Sequence, residues 1–179
     1  MSQPREPDPV KYISSIFAAA PEIVDDGIRD LADLFGPVDR VSEPLFFDRT
    51  RYYEKEMGWP LYRRFISFQD LMPPGRLVEV KIQTNGLEQR SLAGAKRRIN
   101  IDPGYVCAER LILATGKNYV HRIYLRKGIY ADLTLVYRKG AFHPLEWTYP
   151  DYRQPDLIRF FNETRTVYME QLKERKRID

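Results

Sequence analysis

Cysteine is almost absent from this 179-residue chain. Cys107 stands alone, so no internal disulfide can form and nothing argues for secretion. Histidine is nearly as scarce, with only His121 and His143. No apolar run approaches the ~20 residues needed to span a bilayer. The opening "MSQPREPDPV" lacks the apolar middle of a signal peptide. The expectation is a cytoplasmic, soluble protein with no membrane partner. Phosphate-binding glycine loops are missing too. The Gly116-Lys117 pair is followed by Asn118, and position 111 is Leu rather than Gly, so no GxxxxGK[ST] loop exists. A GxGxxG dinucleotide fingerprint is also absent. These absences exclude the classical mononucleotide and dinucleotide folds.

What is present suits a folded globule: 43% hydrophobic and 13% aromatic residues, in a length suited to one domain with a real core. The net charge of +4 is modest, but it is unevenly placed. Between Lys96 and Gly140 there are ten Lys/Arg against three Asp/Glu, leaving 19 basic and 22 acidic residues elsewhere. The basic character belongs to one segment.

Residues 1–9 read as a polar, proline-rich lead-in, and residues 10–179 as a single domain without repeats or Gly/Ser linkers. "VKYISSIFA" (Val10–Ala18) has strand composition. Pro21 opens a helix carrying Val24, Ile28, Leu31 and Phe35 at helical spacing, and Gly36-Pro37 ends it. "VDRVSEPLFF" (Val38–Phe47) predicts an edge strand because it holds Pro44. A short helix is expected over Thr50–Gly58 and a strand over Leu61–Phe68. Residues 76–92 fit two patterns. Val78, Val80 and Ile82 alternate ahead of an Asn85-Gly86 hairpin signal, whereas Leu77, Val80, Thr84, Leu87 and Ser91 form one helical stripe; the helix is the preferred reading. "RRINID", "RLILAT" and "HRIYLRKGIYADLTLVYR" then read as strands, the last folding back at Arg126-Lys127-Gly128, with "AFHPLEW" as a further short strand. A final helix from about Pro155 carries Leu157, Phe161, Thr164, Tyr168 and Leu172 on one stripe. Strands and helices mix without strict alternation. That predicts an α+β fold: a mainly antiparallel sheet, an opening strand–helix–strand unit like part of a ferredoxin-like layer, and a long C-terminal helix.

Strand alternation separates the basic segment into two faces. Ile99, Ile101, Ile123, Leu125, Ile129, Ala131, Leu133 and Leu135 belong to a core row. Arg98, Asn100, Asp102, Arg122, Tyr124, Tyr130 and Asp132 fall on the opposite side. If the strands are neighbours, these seven groups share one face. In "RRINIDPGYVCAERL" the Pro103-Gly104 pair predicts a turn, with Asp102 at a strand end and Tyr105 just past the bend. A polar face on an antiparallel sheet is most often simply the solvated side. Here it also offers a binding site for a small anionic, nucleotide- or phosphate-like ligand. Arg98 and Arg122 would hold the anion, Tyr105 or Tyr124 would stack, and Asn100, Asp102 and Asp132 would supply polar contacts.

Two other readings stay open. Lys/Arg interleaved with Tyr105, Tyr119, Tyr124, Tyr130 and Tyr137 is also the composition of an RNA-binding surface, without an RNA-recognition or helix-turn-helix signature. A metal-dependent hydrolase would draw on Asp102, Asp132 and His121 as its acid–base or ligating groups. His143 and Glu146 make a weak ligand pair, since three residues apart on a strand they face opposite ways. No metal set is assigned, and Cys107 reads as a buried, inert thiol.

Four stretches together, "YYEKEMGWPLYRRFISF", "KRRINIDPGY", "HRIYLRKGIYADLTLVYRKG" and "PLEWTYPDY", resemble the domain-of-unknown-function family 4416. This is a prokaryotic family, some of whose members carry the label GTP-binding protein. The resemblance runs from about Val10 to the last helix. It implies a nucleotide ligand in general terms and supplies no catalytic residue.

Overall fold

A computed structural model of the chain describes residues 1, 3–46, 53–94 and 96–178. It is α+β. Strand β1 (Val10–Ala18) is buried along its whole length, because it lies inside the sheet with cover on both faces. Helix α1 (Pro21–Phe35) begins at its proline and ends where the Gly36 amide bonds to the Ala32 carbonyl at 2.9 Å. It buries Val24, Leu31 and Phe35. The expected edge strand over Val38–Phe47 is broken into β2 (Val38–Val41) and β3 (Leu45–Phe46), on either side of Ser42–Pro44. Both pieces pair only with β4 (Tyr62–Met72). Phe47 and the first residues of the helix expected over Thr50–Gly58 lie outside the described residues; the described part is α2 (Glu54–Met57).

Residues 77–90 are helical, α3 (Leu77–Arg90), with Leu77, Val80, Thr84 and Leu87 buried. The Asn85-Gly86 pair sits inside that helix. The other strands are β5 (Ile99–Val106), β6 (Arg110–Thr115), β7 (Arg122–Arg126), β8 (Ile129–Arg138) and β9 (Ala141–Pro144). The β7–β8 turn places Lys127 (φ 51°) and Gly128 (φ 75°) in the left-handed region, as a two-residue hairpin requires. Helix α4 (Pro155–Ile178) closes the described chain and buries all of its predicted stripe, from Leu157 to Leu172. Each of those apolar side chains contributes about 1.5–3 kcal/mol relative to exposure.

Every strand pair is antiparallel, in the order β2-β4-β1-β5-β6-β8-β7, with β9 beside β8. The block β2-β4-β1-β5 with α1 and α3 is a split β-α-β arrangement of ferredoxin-like type. The hairpins β6–β9 extend its sheet on one side. Tyr12, Ile16, Ile66, Ile101 and Ile112 pack toward α1 and α3. Ile13, Phe65, Leu111, Leu113 and Leu135 pack toward α4, with Phe160, Phe161 and Tyr152.

The expected turn at Pro103-Gly104 does not form: β5 runs straight through to Val106, in continuous register with β1. Two local facts make this possible. The Ile101 amide and carbonyl point away from β1, toward α3. Pro103 shares that orientation, so its missing N–H falls on the edge that β6 leaves unpaired, since β6 joins only at Gly104. At Gly104 the two strands approach so closely that a Cβ would lie 2.2 Å from the Ile112 carbonyl oxygen. The glycine serves a close crossing of strands, not a bend.

Candidate functional site

Register brings the strand-borne candidates together. Asp102 stands in β5 on the parity of Gly104; Gly104 faces Leu113, Leu113 faces Asp132, and Asp132 faces Arg122. Tyr124 and Tyr130 are paired two residues along. Asn100, Asp102, Asp132, Arg122, Tyr124 and Tyr130 therefore share the sheet face on the α4 side. Arg98 does not. It precedes β5, where alternation no longer applies, and lines a cavity of about 180 Å³ on the α1 side with Asp26 and Asp30. Tyr105 also faces away: it packs on Tyr12 with ring centroids 5.9 Å apart, and burial pushes its phenol up.

One end of the face is built around the edge that β6 leaves unpaired. The Ile101 amide donates to Glu88 Oε1 at 2.6 Å, and Lys81 Nζ donates to the Ile101 carbonyl at 3.0 Å. Two side chains of α3 thus replace a missing ladder partner. Lys81 also lies 3.6 Å from Asp102 Oδ1. Asn100 Nδ2 donates to Asp102 Oδ2 at 2.8 Å, and its own oxygen accepts from Arg97 Nη1 at 2.9 Å. Arg97 forks onto Glu56 at 3.0 and 2.9 Å and reaches Glu88 at 3.3 Å. Its guanidinium lies 5.8 Å from the Tyr53 ring centroid. Burial and the nearby Asp102 carboxylate push the Tyr53 phenol up to about 12. Glu88 is also raised, because burial outweighs the help of Lys81, the Ile101 amide and Arg97. A cleft of about 290 Å³ opens beside Arg97, lined by Glu56, Asn85, Glu88, Gln89 and Leu92.

The other end is a cross-strand pair. Arg122 Nε donates to Asp132 Oδ2 at 2.7 Å, with both side chains less than a tenth exposed. The same guanidinium donates to the Lys117 carbonyl at 3.1 Å and to the Tyr149 hydroxyl at 3.0 Å, and it lies 4.8 Å from the Tyr119 ring centroid. His121 Nε2 stands 3.4 Å from Asp132 Oδ2, and its ring stacks on Trp147 at 5.1 Å and 9°. The second histidine is remote from this pair: its Nε2 meets the Arg138 carbonyl at 3.1 Å. Among the described residues, no three His, Cys, Asp or Glu side chains form a group that could hold a metal ion.

Beyond the Asp102 end, on the far side of β1, lies Arg63 of β4, within 5.5 Å of the ring centroids of Phe17, Phe65 and Tyr152. It donates to Ser15 Oγ at 2.6 Å and pairs with Asp151. Tyr152 is buried, and its hydroxyl has no hydrogen-bond partner among the described residues. Burial drives this phenol well above its ordinary value, and Arg63, Asp102, Asp151 and Asp132 all act on it electrostatically. The ring packs against Phe65 of β4 and Phe161 of α4.

Sequence reasoning had not found Tyr53, Arg63, Lys81, Glu88, Arg97, Tyr149 or Tyr152. For two of them a signal was present. Lys81 and Glu88 fall on the same helical face as Leu77, Thr84 and Ser91, charged groups inside a buried stripe. The face also carries more acid than expected: Lys81, Arg63, Arg97 and Arg122 stand beside Glu56, Glu88, Asp102, Asp132 and Asp151. It is charge-balanced, not basic.

Compared with known proteins, residues 8–168 match the sequence profile of the family described as Domain of unknown function (DUF4416). The chain belongs to that family. DUF4416 covers β1 through most of α4, so the whole candidate face lies within the matched span. No curated protein and no solved structure matches the chain. No helix among the described residues of this DUF4416 chain is long and apolar enough to cross a membrane.

Proposed function

We propose that the α4-side face between β5 and β8 binds a small phosphate-bearing molecule of nucleotide or sugar-phosphate type. The observation that carries this reading is the buried Tyr152 hydroxyl, which has no hydrogen-bond partner among the described residues and feels the charge of both Asp102 and Asp132. Buried polar groups are nearly always hydrogen-bonded, so an orphan that feels both carboxylates marks a place for a ligand atom. The surrounding groups are held by hydrogen bonds to fixed neighbours, which lowers the ordering cost of binding.

The charge balance narrows the ligand class. Carboxylates at Asp102 and Asp132 repel a bare anion but accept the hydroxyls and N–H groups of a sugar or base. Arg122 supplies the fork-shaped donor for phosphate. Its contact with the Tyr149 hydroxyl is the one most easily exchanged for a phosphate oxygen, because Tyr149 is half exposed. The GTP-binding label carried by some family members agrees with this class, although a P-loop is not the means.

A thermal-shift panel of nucleotides, sugar phosphates and inorganic phosphate, each with and without Mg²⁺, tests the reading. Ligand at 100 times its Kd adds about 2.7 kcal/mol of stability. The expected result is a rise in Tm with one or more organic phosphates and none with inorganic phosphate. That rise should be lost in Asp102→Asn. A flat response to every compound at millimolar concentration would overturn the proposal.

A further inference from the structure

The cavity of about 180 Å³ that Arg98 lines lies on the opposite side of the sheet from Asp102 and Asp132, between α1 and α3. Helical spacing builds its walls. On α1, Ile23 and Gly27 stand one turn apart, and Asp26 and Asp30 repeat that step beside them; on α3, Leu87 and Ser91 do the same. Ile99 and Ile101 of β5 line the cavity between the helices, and both are buried, as is Leu87. The charged groups are at the rim, where Asp26, Asp30 and Arg98 are exposed. Opposite charges lining one small cavity would ordinarily pair. Among the described residues Arg98 pairs with neither carboxylate: Asp26 is taken by Arg29, and Asp30 has no ion pair. The Ser91 hydroxyl donates to the Leu87 and Glu88 carbonyls at 3.1 and 3.0 Å, so what it can still do is accept.

We propose that this cavity binds a small aliphatic zwitterion, an α-amino acid of about leucine size. The Arg98 guanidinium offers two parallel N–H groups to the carboxylate. The Asp30 carboxylate and the Ser91 hydroxyl accept from the ammonium. Ile23, Leu87, Ile99 and Ile101 take the side chain. Each simpler occupant fails on one count. A bare anion meets Asp26 and Asp30, a bare cation meets Arg98, and an uncharged apolar molecule leaves the rim unsatisfied. A nucleotide is too large, since the volume lies below the roughly 300 Å³ at which pockets for drug-sized molecules begin. Two opposite charges on a short apolar body answer all three features. The Ile99 and Ile101 side chains point away from those of Asn100 and Asp102, so this site is separate from the α4-side face and does not depend on its ligand.

Calorimetric titration with L-leucine tests the assignment, beside three companions: L-alanine, leucinamide and 4-methylpentanoate. Leucinamide keeps the ammonium and loses the carboxylate; 4-methylpentanoate does the reverse. Each buried methylene is worth about fourfold in affinity, so leucine should bind more tightly than alanine by roughly tenfold or more. Each analogue that lacks a charge should bind about tenfold more weakly than leucine. Two variants then assign the charges to residues. Arg98→Gln should weaken leucine about tenfold and leave leucinamide unchanged, and Asp30→Asn should weaken leucine and leave 4-methylpentanoate unchanged. Both positions are exposed, so the melting temperature of either variant without ligand should match the wild type. No heat with leucine at millimolar concentration overturns the proposal. So does leucinamide binding as tightly as leucine, or an Arg98→Gln variant that weakens leucine and leucinamide alike.

Discussion

The two halves of the sheet differ in how many buried charges they hold. In the β2-β4-β1-β5 half, covered by helices on both faces, charged side chains are buried and bonded many times over. Lys11 reaches the Phe68 carbonyl, Gln171 and Asp39; Arg63 holds Ser15 and Asp151; Lys81 and Glu88 complete the hydrogen bonding of a strand. In the β6–β9 half Arg122–Asp132 is buried in the same way, but Arg126–Glu79 is exposed and large apolar side chains face outward. In the first half charge is part of the scaffold. In the second it leaves a surface free to meet something else.

Substitutions can break or sharpen that contrast. The largest effect is expected at Arg63→Leu. Removing one partner of a buried pair leaves the Asp151 carboxylate uncompensated and costs about 3–5 kcal/mol, read by urea unfolding. A loss below about 1 kcal/mol would mean that buried charge is dispensable here. Gly104→Ala should cost about 1–3 kcal/mol through steric strain where β5 meets β6, with the loss appearing as a lower urea midpoint.

Glu88 gives a pH-dependent test. Its folded pKa lies above the ordinary 4.5 because of burial. The folded state then binds the proton more tightly than the unfolded state between 4.5 and that raised value. Stability attributable to this group is present below the window and falls as pH rises through it. The falling contribution should vanish in Glu88→Gln, seen as a flatter stability–pH curve over the same range. The smallest effect belongs to Arg126→Ala, where an exposed pair is removed. The expected cost is under about 1 kcal/mol, with little change in melting temperature. A cost as large as that of Arg63→Leu would erase the contrast between the halves.

Much of this architecture was legible because its signals are local. Pro21 and Gly36-Pro37 bracket α1 by backbone chemistry alone, and alternation along three strands placed Asn100, Asp102, Arg122, Tyr124, Tyr130 and Asp132 on one face. That grouping needs only that β5, β6, β8 and β7 be neighbours, which successive hairpins favour. Arg98 was misplaced because alternation stops where the strand does. Pro103-Gly104 misled because tertiary pairing overrode turn propensity: the proline's missing donor falls on an unpaired edge, and the glycine admits a close strand. Arg63, Tyr53, Tyr149 and Tyr152 reach the site from elements distant in sequence, so no local pattern announces them, whereas Lys81 and Glu88 were visible as charges inside a buried helical stripe.

The clasp of Ile101 by Lys81 and Glu88 makes one backbone proton a gauge of the whole assembly. Its shelter comes from a helix rather than from a neighbouring strand. Deuterium should enter at that position only when α3 lifts away, so the exchange rate of a single amide would time the breathing of helix against sheet.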